Sequence, residues 1–242
     1  MPPFDALKAK EIILAGGTGG IGSAVSEALI AEAARLVIGY RANRARTERW
    51  EASATIVQAD LALAADRQRL LDAAPELYGL VVFVGDPARF ADPSQMEDAM
   101  RRSHDANYFG PILLAREAAA RLKASSTPGA IVLVSTMQAN ALFPGSTVYA
   151  AQKAALQHAA LILAKECRGP ANIRVNVVSP GITAAGMAEA SIAAGKYDRY
   201  LQDGTIGRFG HAGDVARAVR FFLEPDNYVT GQVLCVDGGI TL

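Results

Sequence analysis

Short apolar runs and stretches with helical spacing alternate along the chain. The apolar runs are rich in Val, Ile and Leu at successive positions, which is typical of parallel strands buried on both faces. The alternation predicts an α/β fold: a doubly wound parallel sheet of about seven strands with helices on both faces. The predicted strands are Glu11–Ala15, Arg35–Gly39, Ala54–Gln58, Gly79–Val84, Ala130–Ser135, Asn172–Val178 and Gln232–Val236. The predicted helices are Ser23–Ala34, Ala65–Ala73, Gln95–Ala124, Val148–Cys167 and Ala212–Leu223.

One segment interrupts this pattern. Thr183–Gly210 is rich in glycine and contains no clear strand. A long irregular insertion in a compact domain is more often a functional lid than filler, so we predict that this segment covers a substrate. Gln138–Ser146 is expected to contribute to the same site. The chain shows no linker, low-complexity tract or internal repeat, which predicts a single domain over residues 1–242.

A glycine-rich turn follows the first predicted strand and leads into a helix. Glycines allow a tight turn there and let the backbone approach a diphosphate, and the N-terminus of the helix attracts the anion. Two glycine spacings fit, G-x-G-x-x-G through Gly17, Gly19 and Gly22, or G-x-x-x-G-x-G through Gly16, Gly20 and Gly22. The sequence does not choose between them. The residues predicted to contact a dinucleotide here are Gly16, Thr18, Gly19, Gly20, Ile21 and Gly22.

The end of the second predicted strand bears on the choice of dinucleotide. An NAD site usually carries an acidic residue about 20 positions after the glycine turn, to bind the ribose 2′-hydroxyl. Here the chain has Tyr40, Arg41 and Arg44 and no carboxylate. Guanidinium groups match a phosphate, so NADP(H) is favoured, with NAD(H) as the alternative. An ordinary basic surface loop is the competing interpretation, because Arg46 and Arg49 continue the run.

Tyr149 and Lys153 are four residues apart in a predicted helix, so their side chains project from the same face. Two unit charges about 4 Å apart near a protein surface interact by roughly 4 kcal/mol. An ammonium beside the phenol could therefore lower its pKa by up to about 3 units. Such a tyrosine would serve as a general acid or base. The alternative is a tyrosine that packs on a helix beside a solvated lysine.

With these features together, the chain resembles the short-chain dehydrogenase/reductase family, and most of all its 3-oxoacyl-(acyl-carrier-protein) reductase group. The likeness covers nearly the whole chain and implies a Rossmann fold. It also implies hydride transfer between nicotinamide and a carbonyl or secondary alcohol. The matching motifs are Gly16, Gly20 and Gly22 of the glycine turn, Asp60, Asn107, Tyr149 with Lys153, Ser179–Gly181, Val229–Gln232 and Val236–Gly239.

The resemblance also implies a role for each matched residue. Tyr149 would be the general acid or base, and Lys153 would lower its pKa and bind the nicotinamide ribose. Asn107 would hold a water that links Lys153 to solvent, unless it is only an asparagine at a helix bend bonded to backbone. Thr136 would donate to the substrate oxygen, with Ser135 as the alternative. The further cofactor contacts implied are Asp60, Leu61, Gly85, Pro180, Gly181, Ile182 and Thr183.

Three positions depart from the family pattern. Thr136 stands where serine is usual, and because adjacent strand residues point to opposite faces, only one of Ser135 and Thr136 is expected to face the substrate. Val82–Gly85 replaces the polar N-N-A-G segment and keeps only its glycine, so apolar packing must replace lost hydrogen bonds. Ala185 stands where a threonine usually contacts the cofactor, and Thr183 is the nearest hydroxyl.

Composition excludes several classes of function. The 24 basic and 24 acidic side chains give a formal net charge of zero, unlike the basic surface of a nucleic-acid binder. No apolar run is long enough to cross a bilayer, and Met1–Glu11 lacks the apolar region of a signal peptide. Cys167 and Cys235 are too few for a disulfide framework, and a buried, reduced thiol is predicted for each, as in a cytoplasmic protein.

Two functions of different classes remain open. The first is an NADP(H)-dependent oxidoreductase that acts on a small carbonyl or alcohol and, like relatives, forms a homodimer or homotetramer. The second is a dinucleotide-binding sensor or scaffold that no longer catalyses, a hypothesis that the changes at Val82–Val84 and Thr136 keep open. No catalytic metal is predicted, because the histidines show no ligand spacing. The arginines that could contribute to carrier-protein docking are Arg101, Arg102, Arg116 and Arg121.

Overall fold

The computed structural model describes residues 6–242, so residues 1–5 of the predicted domain, and with them the start of Met1–Glu11, lie outside the described residues. The strands are β1 (Glu11–Ala15), β2 (Arg35–Tyr40), β3 (Ala54–Gln58), β4 (Leu77–Val82), β5 (Gly129–Val134), β6 (Ile173–Pro180) and β7 (Val233–Val236). All seven pair in parallel in the order β3-β2-β1-β4-β5-β6-β7, which confirms the predicted fold class. The order in which successive strands are added to the sheet changes direction between β1 and β4. Open parallel sheets bind ligands in the crevice at such a switch point.

Helices cover both faces of the sheet. The α-helices are α1 (Gly20–Ala31), α2 (Ala64–Asp72), α3 (Met96–His104), α4 (Gly110–Ala124), α5 (Thr147–Glu166), α6 (Glu189–Ala193), α7 (Arg199–Gln202) and α8 (Ala212–Leu223). Helices α2, α4 and α5 pack on one face through side chains such as Leu70, Leu114 and Leu156. Helices α1 and α8 pack on the other face, where Leu29 and Phe222 are buried. None of the helices in residues 6–242 is both long and apolar enough to cross a membrane.

The predicted helix Gln95–Ala124 is interrupted in its middle. Asp105–Phe109 forms a π-helical turn between α3 and α4, in which Gly110 N donates to Asp105 O. Pro111 lies four residues after Asn107 and has no N–H to donate to its carbonyl, so regular α-helical bonding fails at this point. Pro111 therefore explains the π-helical turn from the sequence. Asn107 lies in this turn and in neither of the flanking α-helices.

The apolar Val82–Gly85 segment packs as the sequence analysis requires. Strand β4 ends at Val82, two residues earlier than predicted, and Val82 is buried against α2, α4 and α5. Phe83 packs on the opposite layer with α1 and α8, while its N–H donates to Ala15 O at 2.9 Å. Apolar contacts on both faces of the sheet thus replace polar side chains at this strand end.

One of the two predictions about cysteine burial is wrong. Cys167, which follows α5, is buried as predicted, whereas Cys235 on β7 is exposed. Strand β7 pairs only with β6 among the described strands, so it is an edge strand, and its two central residues, Leu234 and Cys235, are exposed. Both cysteines are free thiols.

Candidate active site

The turn between β1 and α1 is shaped to bind an anion. Gly16 has φ +88°, and a Cβ on Gly22 would lie 2.3 Å from Gly16 O, so both positions require glycine. A Cβ on Gly20 would lie 2.4 Å from Gly186 N, whereas one on Gly19 would meet nothing closer than 3.4 Å. Because Gly19 is the tolerant position, the structure favours the G-x-x-x-G-x-G spacing. Helix α1 begins at Gly20 with no acidic residue in its first turn, which leaves the positive end of its dipole for a phosphate.

The arginines after β2 differ in how freely they could bind a 2′-phosphate. The Arg44 guanidinium is paired with Glu51 and lies 5.9 Å from the Tyr40 ring centroid. Arg49 is paired with Glu27 at 2.9 Å. Arg41 is exposed, and its side chain has no carboxylate partner within residues 6–242, while its carbonyl accepts from Gln58 Nε2 at 3.0 Å. Of the two predicted arginines, Arg41 is therefore the better placed to bind phosphate.

Thr136 and Tyr149 come together at the carboxyl end of β5. Thr136 lies just past β5 and Tyr149 in the first turn of α5, and the Thr136 hydroxyl is near enough to the phenol to lower the pKa of Tyr149. Thr136 Oγ1 also accepts from Gln138 N at 3.4 Å, so the residue caps the short 3₁₀ helix Met137–Ala139. Ser135 points the other way, and its Oγ donates to Lys153 O at 3.2 Å. The geometry therefore places Thr136, and not Ser135, beside Tyr149.

Lys153 joins α5 to the ends of two strands. Its Nζ donates to Val84 O at 3.1 Å and to Val134 O at 2.9 Å, and its side chain is almost fully buried. Burial lowers the pKa of Lys153 to about 7, while the two carbonyls solvate its charged form. Lys153 lies one helical turn after Tyr149 on α5, and a group so placed that titrates near neutral pH can take part in proton transfer.

The predicted lowering of the Tyr149 pKa is wrong for this structure. Desolvation raises the pKa of Tyr149 to about 12, and the Thr136 hydroxyl opposes that rise. The hydrogen bonds of Lys153 Nζ go to the carbonyls of Val84 and Val134, so the ammonium is not held by the phenol. At neutral pH Tyr149 therefore keeps its proton and is a proton donor.

Asn107 is fully buried in the π-helical turn and fixes the loop after β4. Its Nδ2 donates to Asp86 O at 2.8 Å and to Ser103 Oγ at 3.0 Å, and its Oδ1 accepts from Asp86 N at 3.2 Å. A Cβ on Gly85 would lie 2.8 Å from Asn107 Oδ1 and 3.6 Å from Lys153 Nζ, so the three residues adjoin. The amide is thus occupied by protein partners, as in the alternative that the sequence left open, and the water relay stays a prediction.

The proline–glycine turn closes the far side of the crevice. Strand β6 ends at Pro180, and Gly181 N donates to Val236 O at 3.0 Å. A Cβ on Gly181 would lie 2.6 Å from Asp237 Cα, so this position also requires glycine. Ile182 and Thr183 are buried, and Thr183 Oγ1 donates to Gly181 O at 3.2 Å. The Thr183 hydroxyl, which is predicted to contact the cofactor, is therefore hydrogen-bonded to the proline–glycine turn itself.

Asp60 and Leu61 are fixed where β3 leads into α2. Asp60 N donates to Asp66 Oδ2 at 2.8 Å, and Asp60 Oδ1 accepts from Ala62 N at 3.0 Å. Leu61 is buried, and its carbonyl accepts from Arg67 Nη1 at 2.8 Å. The pair lies on the same edge of the sheet as the glycine turn, since parallel strands end together.

The segment predicted to be a lid is tied at its base, and Gly186 and Met187 near its N-terminal end, called the tip below, touch both rims of the crevice. A bridge joins Thr183 to Gly210, and Arg208 pairs with Asp214 at the start of α8 at 2.7 Å. At the tip, the backbone of Gly186 packs on Gly20. The carbonyl of Met187 accepts from Arg89 Nη2 at 3.0 Å. The segment therefore spans the crevice between the glycine turn and the loop after β4.

Several residues at the site carry no signal that sequence reasoning can use. The contacts of Lys153 are backbone carbonyls, which any residue supplies, so nothing marks Val84 or Val134. Arg89 looks like any surface arginine. Pro111 is the exception, since a proline inside a predicted helix does signal a break at this point. Within residues 6–242, no group of three His, Cys, Asp or Glu side chains is arranged to hold a metal ion.

The fold and the site define a dinucleotide-binding protein with a protonated tyrosine at the carboxyl edge of the sheet. Residues 15–241 match the family model described as enoyl-(acyl carrier protein) reductase. The chain belongs to the short-chain dehydrogenase/reductase family of oxidoreductases, as the resemblance implied.

Related proteins match along their whole length. An uncharacterised oxidoreductase of Methylorubrum extorquens is 34% identical, with 97% of this chain and 98% of that protein covered. The NADPH-dependent aldehyde reductase-like protein of Arabidopsis thaliana, which is chloroplastic, is 30% identical, with 98% and 96% covered. A short-chain dehydrogenase/reductase from Mycobacterium ulcerans has a structure that superposes with a TM-score of 0.88 at 26% identity, with 97% and 90% covered.

Proposed function

We propose that this protein is an NADP(H)-dependent carbonyl reductase that transfers hydride between nicotinamide and the carbon of a carbonyl or secondary alcohol. The observation that carries the proposal is the placement of Thr136 and Tyr149 together at the carboxyl end of β5, on the same edge of the sheet as the glycine turn. The bound dinucleotide would supply the hydride chemistry, while the protein orients both reactants and manages the proton.

Residues of the chain fit such a cofactor. Gly16, Gly20 and Gly22 leave no room for side chains, and the N-terminus of α1 would hold the diphosphate. Arg41 would bind a 2′-phosphate, which favours NADP(H) over NAD(H). The Arabidopsis relative is named as NADPH-dependent, which supports the same preference. Lys153 and the loop at Gly85 would face the nicotinamide ribose.

Two hydroxyl groups act on the substrate oxygen, and one of them, that of Tyr149, transfers the proton. During reduction, Tyr149 donates its proton to the substrate oxygen, and its raised pKa keeps that proton in place at neutral pH until a stronger base appears. Thr136 donates a hydrogen bond to the same oxygen and holds it in line. When Tyr149 has given up its proton, the ammonium of Lys153 stabilises the phenolate. In the oxidation direction the same groups act in reverse.

Small-molecule substrates are favoured over a carrier-bound acyl chain. Each of the four arginines that could dock an acidic carrier protein is paired with a carboxylate: Arg101 with Glu97, Arg102 with Asp86, Arg116 with Glu166 and Arg121 with Asp72. Pairing lowers the positive potential that would attract such a carrier. We therefore propose a free aldehyde, ketone or secondary alcohol as the substrate.

We also propose that two copies associate through α4 and α5. A groove between these helices is lined by Tyr108, Ile112, Leu113, Arg116 and Ala159, with Phe109 and Ile162 partly exposed at it. An exposed apolar patch of this kind is typical of an interface. A homodimer or homotetramer and a location in the cytoplasm remain predictions.

The proposal is tested by turnover and binding together. Reduction of aldehydes and ketones is followed by nicotinamide absorbance with NADPH and with NADH, beside a titration of cofactor binding. Tyr149→Phe removes only the donor hydroxyl, so it should keep NADPH binding and lose about 10²-fold to 10⁴-fold in kcat. Tyr228→Phe is the matched control, because Tyr228 is fully exposed.

Two outcomes would contradict this assignment. Turnover retained in Tyr149→Phe would remove the tyrosine from the mechanism. Binding of NADPH by the unaltered protein without turnover of any carbonyl compound would favour the other hypothesis, a dinucleotide-binding sensor or scaffold. The use of both Nδ2 protons of Asn107 by protein groups is the observation that keeps this second hypothesis in view.

A further inference from the structure

The segment that carries the reactive hydroxyl groups contains no charged side chain, and Lys153, the residue that follows it, is bonded to two backbone carbonyls. From Thr136 to Gln152 the chain contains no Asp, Glu, Lys, Arg or His, and this stretch holds both Thr136 and Tyr149. It also forms the loop between β5 and α5, which borders the crevice at the substrate end. A charged group on a substrate would therefore find no complementary partner along this wall, and burying an unpaired charge is strongly unfavourable.

The cations of the lid are engaged elsewhere. Lys196 Nζ lies 5.6 Å from the centroid of the Tyr197 ring. Arg199 Nη2 donates to Tyr200 Oη at 2.6 Å. Arg208 makes two hydrogen bonds to Asp214 at 2.7 and 3.0 Å, at the base of the lid. None of these contacts directs a cation toward Thr136 and Tyr149, so the lid does not present an anion site to the reacting oxygen.

An apolar cluster adjoins the reactive groups instead. Met137, Ile182 and Ile206 are buried together, from the loop after β5, the turn after β6 and the lid respectively. Met137 follows Thr136 directly in the chain, so the cluster begins one residue from the reaction centre. Phe143 is partly buried and packs on this cluster, which joins its loop to the lid. The other partly buried members are Ile192, Tyr197, Tyr200, Phe209 and Ile240.

We infer that the substrate is an uncharged carbonyl compound with an apolar ring or chain, and that Phe143 is a residue that determines this specificity. The inference rests on the proposed function. Phe143 is part of the wall between the loop and the lid, six residues before the proton donor Tyr149, and it keeps an accessible face. An apolar group beside the carbonyl would bury surface against that ring.

Three aldehydes with the same reacting group test the inference. Benzaldehyde carries a neutral ring, acetaldehyde carries only a methyl group, and 4-carboxybenzaldehyde carries the ring with a negative charge. In the unaltered protein, kcat/KM should be about 10-fold or more higher for benzaldehyde than for either of the others. Phe143→Ala should lower kcat/KM for benzaldehyde about 10-fold and change that for acetaldehyde by much less.

Leu142→Ala is the matched control. Leu142 is the preceding residue in the same loop and is fully exposed, so its removal should leave all three values of kcat/KM unchanged. Phe143→Leu keeps the cluster apolar and should fall between the unaltered protein and Phe143→Ala. It serves as the test if the alanine variant does not fold.

The outcomes separate this inference from the proposed function. An equal fall for benzaldehyde and acetaldehyde in the Phe143 variants would overturn the specificity role while leaving the reductase intact. A preference for 4-carboxybenzaldehyde would overturn the uncharged substrate and point to Arg89 at the mouth of the crevice as an anion partner. Turnover of none of the three would overturn the proposed function, and the inference with it.

Discussion

The residues at the carboxyl edge of the sheet and the residues of the lid are fixed by different kinds of contact. At the edge, Lys153 and Asn107 are buried and bonded to backbone groups of neighbouring strands and loops. The lid between Thr183 and Gly210 is fixed at its base, while its tip is held by one arginine and a backbone contact. Segments with few buried contacts open at low free energy. We therefore propose that the catalytic groups lie on the rigid part and that the lid is the part that opens for the reactants.

The largest effect that tests this comparison concerns Lys153. Its pKa is about 7 in the folded protein against an ordinary value of 10.5, so between these values the unfolded chain binds more protons than the folded one. The free energy of unfolding should therefore rise with pH through this window and be flat below about pH 7. At about 1.4 kcal/mol per pKa unit the rise is a few kcal/mol, up to about 5 kcal/mol.

Tyr149 acts in the opposite direction at higher pH. Its folded pKa of about 12 is above the ordinary value of 10.0, so its contribution is present below pH 10 and is lost between 10 and 12. Urea unfolding across this range, with Lys153→Met as the control, separates the two groups. The variant should lack the rise above about pH 7 and keep the fall above about pH 10. A flat profile in the unaltered protein would show that the carbonyls of Val84 and Val134 keep the ammonium charged.

The sequence predicts the rigid part far better than the lid, for a physical reason. Strands β1 and β3 have their predicted bounds, and β1 is buried at all five positions, as a continuous apolar run predicts. The choice of Thr136 over Ser135 needs the direction of each side chain at a strand end, which the spacing alone leaves open. The contacts of Gly186 and Met187 in the lid are with the backbone of Gly20 and with an ordinary arginine, Arg89. Such contacts depend on the path of the chain, and residue identity does not reveal them.

The glycine turn provides the second test, of intermediate size. A methyl group on Gly22 would lie 2.3 Å from Gly16 O, so Gly22→Ala should destabilise the protein by about 1–3 kcal/mol and distort the predicted diphosphate site. Gly19→Ala is the matched control in the same turn, because its nearest neighbour would be 3.4 Å away and its φ is −75°. Thermal unfolding and NADPH titration measure the two effects. Equal losses in both variants would contradict the packing at Gly22.

Gly186 extends that comparison to the lid. Its φ is +60°, yet a Cβ there would meet nothing closer than 3.5 Å, so only backbone conformation opposes a side chain. Gly186→Ala should therefore destabilise the fold by no more than about 1–2 kcal/mol. If Gly186→Ala loses more stability than Gly22→Ala, the lid at Gly186 is packed as tightly as the carboxyl edge of the sheet.

The smallest expected effect concerns Arg89, whose guanidinium links the loop after β4 to the tip of the lid. An exposed hydrogen bond of this kind contributes about 1 kcal/mol, which corresponds to roughly a 5-fold change in an equilibrium. Arg89→Met keeps the aliphatic stem and removes the donor to Met187 O, so the lid should open more often. We expect NADPH to dissociate about 5-fold faster in stopped-flow displacement, with an unchanged melting temperature.

Arg101→Met is the control, because Arg101 pairs with Glu97 on the exposed face of α3. If Arg89→Met slows association of NADPH and leaves its dissociation unchanged, Arg89 attracts the cofactor by charge and does not hold the lid. The tip of the lid is then fixed by its contact with Gly20 alone.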